Sequence, residues 1–292
     1  MPPATSPRNT RAANFFHRLS LGVLLILLPA SQAWAELMLY PTRVVFAGNQ
    51  RAAQLELINN GSERATYRIS LVNRRMNETG AFSEIDTPLP GEQFADDLLR
   101  YSPRQVTLEP GTGQAVRIMV RKPANLPTGE YRSHLLFAQQ PEVRGSTSIE
   151  AHGPAAKNEI AIKLTTLVGI SIPVIVRHGN TDASVSLTHL DLQQPSGGAP
   201  TLALQIERSG NQSVYGDLTV SLTPARGAEQ VLARANGVAV YSPNLMRRAS
   251  IALQWPNGQR LTDGALRVSY REQAEDGGAL LAEAVQIGRA HV

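Results

Sequence analysis

From residue 37 onward apolar and polar positions alternate. Ala53, Leu55 and Leu57 are separated by Gln54 and Glu56; the turn Asn59-Asn60-Gly61-Ser62 follows; Tyr67, Ile69 and Leu71 then alternate with Arg68 and Ser70. A repeat of two puts one set of side chains on a core and the other in water, which predicts β-strands. Val116, Ile118 and Val120 continue the pattern after Glu109-Pro110-Gly111, as do Val185 and Leu187, and Leu202, Leu204 and Ile206. So do Leu218, Val220 and Leu222, then Ile251, Leu253 and Trp255, and finally Leu266, Val268 and Tyr270. Turn signals such as Ser196-Gly197-Gly198, Ser209-Gly210-Asn211 and Pro256-Asn257-Gly258 separate these runs. No amphipathic helix of any length is predicted, and residues 94–99 suit a single turn. Short strands at this spacing predict an all-β chain of antiparallel β-sandwiches.

The first segment reads differently. Arg8, Arg11 and Arg18 precede the apolar run Leu21-Gly-Val-Leu-Leu-Ile-Leu-Leu28, Pro29 breaks it, and Ala33-Trp34-Ala35 supplies a small-x-small cleavage site. These are the three parts of a secretory signal peptide, predicted over residues 1–35. The run is too short for about 30 Å of hydrocarbon. The rest is long enough for two sandwiches. The boundary is expected at Arg177-His178-Gly179-Asn180, where the apolar stretch 167–176 ends, giving domains over 36–176 and 177–292. Residues 139–158, rich in Gly, Ser, Ala and Pro, form a connection long enough to suggest a functional or mobile loop.

Composition narrows the function. Hydrophobic residues make up 42% and charged residues 18%, which is globular, and the absence of cysteine removes disulfides, thiolate metal sites and cysteine nucleophiles. Three of the 28 Lys and Arg and none of the 24 acidic residues lie in the first 35, so the remainder carries 25 basic against 24 acidic residues. That balance gives no argument for nucleic acid as a partner. His17, His134, His152, His178, His189 and His291 are scattered without an H-x-x-x-H pair and read as surface residues. No metal site, cofactor or hydrolase motif is predicted. Gly111-Thr-Gly113 joins two strands as a hairpin turn, and the acidic pairs Asp96-Asp97 and Glu275-Asp276 read as solvated charge.

Four segments, in order, carry a resemblance. They are Tyr40-Pro-Thr-Arg43-Val-Val-Phe46, and the strand pair containing Leu55-Glu-Leu-Ile-Asn-Asn60. Third comes Tyr101-Ser-Pro103-Arg-Gln-Val-Thr-Leu108-Glu-Pro-Gly111 with Gln114-Ala-Val-Arg117-Ile-Met-Val120, and fourth Asn125-Leu-Pro127-Thr-Gly-Glu-Tyr-Arg-Ser133 before a strand ending at Phe137. Together they resemble the first domain of the PapD-like periplasmic chaperones of pilus (fimbrial) assembly, in a divergent branch. The resemblance implies two immunoglobulin-like sandwiches in a boomerang arrangement. It also implies a non-enzymatic, cofactor-free function in the periplasm. Such chaperones complete an unfinished pilin-like subunit by lending it a strand and pass it to an outer-membrane usher. A donor edge left unfilled also leaves room for a self-capping homodimer.

The same resemblance implies two sites. The donor strand falls on Asn158-Glu-Ile160-Ala-Ile162-Lys-Leu164-Thr-Thr166, where Ile160, Ile162 and Leu164 share a face; the alternative is that they serve this domain's own core. A basic anchor for the subunit's terminal carboxylate falls on Arg43, whose guanidinium can hold a carboxylate bidentately. Read by itself, Arg43 is solvated charge on an edge strand. The family's cleft lysine falls on Val168, so Lys163 and Arg132 are the candidates for a second charge. Ile172 stands where the family has an arginine that helps lock its domains, and the comparable glutamate segment reads Glu130-Tyr-Arg-Ser133. The hinge is therefore expected to be held differently, with Arg132 available to the interdomain surface. Ser102-Pro103 falls at a family turn that can be cis. Two other functions remain open at this point: a secreted or surface immunoglobulin-like binding or adhesive module, and an all-β hydrolase using distant carboxylates.

Overall fold

Alternation of the kind seen at Leu55 and Leu57 buries every second side chain, and two such faces meeting make a sandwich. The computed structural model describes residues 37–85, 87–141, 169–193, 199–224, 227–255 and 264–287. Ala35–Val292 form one compact unit, and the predicted signal segment, 1–35, lies outside the described residues. Among the described residues no helix is long and apolar enough to cross a membrane.

The first sandwich runs through β1 (Leu37–Tyr40), β2 (Val44–Phe46), β3 (Ala52–Asn59), β4 (Ala65–Val72), β5 (Arg74–Met76), β6 (Phe82–Glu84), β7 (Leu99–Ser102), β8 (Gln105–Leu108), β9 (Gly113–Val120), β10 (Gly129–Gln139) and β11 (Gly169–His178). One sheet has the order β1-β3-β9-β7 and the other β2-β11-β10-β4-β8, while β5 and β6 pair only with each other. Register places Leu39 opposite Leu57 and Leu55 opposite Val116. Their inner faces meet Phe46, Tyr67, Leu135, Phe137 and Val174 of the facing sheet in one core. The single turn expected over 94–99 is a 3₁₀ turn at Asp96–Leu98.

The second sandwich comprises β12 (Ala183–Gln193), β13 (Thr201–Gly210), β14 (Val214–Pro224), β15 (Gln230–Val240), β16 (Met246–Ala252), β17 (Gly264–Arg271) and β18 (Leu280–Ile287). Its sheets have the orders β12-β13-β16 and β15-β14-β17-β18. Leu202, Ile206, Leu218, Val220, Leu266 and Tyr270 fill the second core. A bulge between Thr188 and Asp191 puts His189 at φ 51.

One pairing departs from the antiparallel expectation. β2 lies parallel to β11, with Val44 opposite Val174 and Phe46 opposite Val176. Alternation sets which face a strand presents, but not the direction of its neighbour.

Asn59 shows how a turn is fixed. Its side chain donates to the Leu108 carbonyl at 3.1 Å and the Glu63 carbonyl at 2.8 Å, and accepts from the Gly61 amide at 2.9 Å. The residue is fully buried. Asn59→Ala leaves these groups without their partners, so chemical denaturation should show a loss of about 2 kcal/mol. Unchanged stability would mean that solvent replaces the amide.

Candidate functional site at the sandwich junction

β11 is covered unequally on its two sides. Towards β10 it pairs throughout, from Gly129 opposite His178 to Ala138 opposite Gly169. On the other side, among the described residues, only Val174–Val176 are paired, with β2. Among the described residues, the segment Gly169 to Pro173 has no strand on that side. Ile172 is buried in the first core and Ile170 packs against it, so this face of the segment is apolar. The proposed donor positions Ile160, Ile162 and Leu164, together with Lys163 and Val168, lie outside the described residues.

Arg43 immediately precedes β2, at the point where the open edge of β11 gives way to the covered one. Its Nη2 donates to Asp276 Oδ2 at 2.5 Å, and its guanidinium carbon sits 4.1 Å from the Tyr215 ring centroid. The side chain is only 13% exposed. Reading Glu275-Asp276 as wholly solvated charge is therefore corrected: Asp276 forms an ion pair across the junction. Arg43, Arg177, Ser213, Tyr215, Glu272 and Asp276 line a cavity of about 240 Å³ between the sandwiches.

The hinge is held from Glu130. On β10, its carboxylate accepts from Arg177 Nε at 3.1 Å, from the Ser213 amide at 3.1 Å and from the Ser213 hydroxyl. The Glu130 side chain is 1% exposed. Arg177 Nη2 also donates to the Ser213 carbonyl at 3.3 Å, and the Ser242 amide donates to Ser213 Oγ at 2.8 Å. Lys122 Nζ holds the Arg177 carbonyl at 2.7 Å, and burial lowers the Lys122 pKa. The resemblance marks the Glu130-Tyr-Arg-Ser133 segment as one half of such a lock, but nothing in the sequence points to Ser213, 83 positions from Glu130.

Arg132 occupies a different place from Arg43. Its guanidinium carbon lies 4.4 Å from the Tyr241 ring centroid and 5.9 Å from that of Phe82. Its Nε and Nη1 are buried without a hydrogen-bond partner, and burial pulls its pKa down. It does not line the Arg43 cavity. Tyr241 is buried, and that burial pushes its pKa up to about 12. Next along β10, His134 meets Phe82 edge-on at 5.2 Å. His134 is 2% exposed and neither ring nitrogen has a partner, so its reading as a surface histidine is corrected. β10 is buried on both faces because one face meets the first core and the other is covered at the junction.

The β5–β6 hairpin supplies much of that cover. Met76 packs with Ile175, Ala239 and Tyr241. At the hairpin tip, the Glu78 carbonyl accepts from the Arg248 amide at 2.7 Å and the Glu78 carboxylate pairs with Arg248 at 2.9 Å. Asn244 Nδ2 donates to the Met76 carbonyl at 2.6 Å. Gly80 has φ +88, and a Cβ there would come within 2.5 Å of the Arg247 guanidinium, so the turn needs glycine. The Ser102–Pro103 bond is cis, as are Tyr40–Pro41 and Ser242–Pro243. Among the described residues, no three His, Cys, Asp or Glu side chains converge as a metal site requires.

No protein-family model and no curated protein matches the chain. Solved structures similar to it include the YadV chaperone, at 15% identity and a TM-score of 0.42 over 86% of this chain and 98% of that one. The CupB2 chaperone of Pseudomonas aeruginosa is similar at 14% identity and 0.40, covering 86% and 100%. The DraB chaperone of E. coli is similar at 12% and 0.41, covering 86% and 95%. At these values the likeness carries no argument about fold or function, which rest on the geometry of this chain.

Proposed function

We propose that the protein is a periplasmic assembly chaperone that binds pilin-like subunits by β-strand addition and passes them to an outer-membrane usher. The supporting observation is β11, which among the described residues is paired on one side throughout and on the other only over Val174–Val176, next to Arg43. Unpaired amides and carbonyls on such an edge are a template for another strand. Ile160, Ile162 and Leu164 are spaced two apart in the sequence, the spacing that a donated strand needs to put three apolar side chains into an incomplete client core.

The proposed site also implies a direction. A client strand on the open edge whose C-terminal carboxylate reaches Arg43 must end near Pro173, and so must run parallel to β11. The four-segment sequence resemblance supports the same reading and is its source for the usher and the periplasm.

Co-expression with a subunit encoded beside the gene tests the proposal. The wild type should recover soluble subunit. Arg43→Ala should weaken binding about ten- to a hundred-fold, the usual effect of losing a charge-assisted hydrogen bond, and Ile162→Asp should abolish recovery. Undiminished recovery with both variants would remove the site. A folding failure confined to Ile162→Asp would place that side chain in this domain's own core.

A further inference from the structure

The guanidinium proposed to receive the client carboxylate already holds one. Asp276 reaches Arg43 from the connection between β17 and β18, in a 3₁₀ turn, Ala274–Asp276, that contributes no buried residue. Gly277 at φ +113 and Gly278 at φ +66 follow it. The turn is closed by its own backbone bonds, Asp276 to Gln273 at 2.9 Å and Gly278 to Gln273 at 3.0 Å. The Asp276 side chain is 39% exposed against 13% for Arg43. It can therefore swing into solvent without disturbing the second core, while Arg43 stays stacked on Tyr215.

From this arrangement we infer that Asp276 is an internal competitor that gates the Arg43 anchor; the inference rests on the reading of Arg43 given above. Without a client, an enclosed guanidinium needs an acceptor, and Asp276 provides it. A C-terminal carboxylate entering the cavity exchanges with Asp276, one charge-assisted contact for another. The gate lowers affinity for every client and selects among them. A chain end without negative charge gives Arg43 nothing equivalent and cannot displace Asp276, so discrimination comes from the contact that must be broken.

The test uses the chain from residue 36 onward and a synthetic peptide of alternating valine and threonine, with either a free or an amidated C-terminus, titrated calorimetrically. The wild type should prefer the free acid. Asp276→Asn should bind the free acid about three- to five-fold more tightly than the wild type, a size set by the partial exposure of the pair. Asp276→Ala should move in the same direction, with circular dichroism confirming that both variants are folded. On an Arg43→Ala background, Asp276→Asn should have no effect. If Asp276→Asn and Asp276→Ala leave affinity unchanged while the wild type still prefers the acid, the gate is wrong and the anchor stands. If no protein in the series, Asp276→Asn included, distinguishes acid from amide, the anchor itself is wrong and the gate falls with it.

Discussion

Glu130→Ala is expected to split thermal unfolding into two transitions, one for each sandwich. The carboxylate is the shared acceptor of the hinge: Arg177 and the amide and hydroxyl of Ser213 all converge on it, and it is removed from water. Deleting it leaves a guanidinium without its counter-charge and a buried amide without an acceptor. Breaking a buried pair from one side costs about 3–5 kcal/mol. Arg177 is 21% exposed and regains some water, so the lower end of that range applies. The loss falls on coupling between the sandwiches, because each keeps its own core. Glu130→Gln retains an oxygen for Ser213 and loses only the charge facing Arg177, so it should fall between wild type and alanine. Scanning calorimetry would show a lower first transition in the alanine variant. A single transition at the wild-type midpoint would mean that Met76, Ile175, Ala239 and Tyr241 hold the junction unaided. The proposed client site would depend on the same lock, since Arg43 belongs to one sandwich while Tyr215 and Asp276 belong to the other.

The strands that alternation identified, from Leu55 and Leu57 through Val268 and Tyr270, are those whose two faces meet different surroundings. There a period of two is a direct record of burial. β11 was legible for the opposite reason: Val174, Ile175 and Val176 are all buried, and the sequence shows an unbroken apolar run. β5 and β6 were not legible, because Arg74-Arg75-Met76 and Phe82-Ser83-Glu84 are too short and polar to show a period, and their order comes from Tyr241, Asn244 and Arg248 of the other sandwich. The site divides in the same way. Arg43 could be singled out by its place in a motif. Glu130 could be singled out in the same way, but Asp276 and Ser213 could not, since each becomes meaningful only beside a residue brought near by the packing of two sandwiches. His134 escaped for a related reason: its burial comes from the covering hairpin and the neighbouring sandwich rather than from its own strand.

His134 should make the protein acid-sensitive above the range where carboxylates dominate. Burial, followed by the charges of Arg132 and Arg74, lowers its pKa from 6.5 to about 3. The unfolded chain therefore takes up a proton on this residue as the pH falls through 6.5, and the folded chain takes one up only near 3. Between those values the unfolded state binds more protons, so stability declines with falling pH by up to about 1.4 kcal/mol per unit from this residue. The full contribution is present above 6.5 and is lost by about pH 3. It sums to on the order of 4 kcal/mol, one of the largest single-residue effects expected in the molecule. Protonation would add a third cation beside Arg132 and Arg74, with no hydrogen-bond acceptor for either N–H. His134→Leu removes the proton site and two unpartnered nitrogens from an apolar setting, so its stability at pH 7 should stay close to wild type. Urea unfolding at pH 7, 6, 5 and 4 should then show the two proteins diverging, the leucine variant becoming the more stable as the pH falls. Parallel curves would mean that the imidazole gains a partner on protonation, and that the covering hairpin opens to water well before the sandwiches unfold.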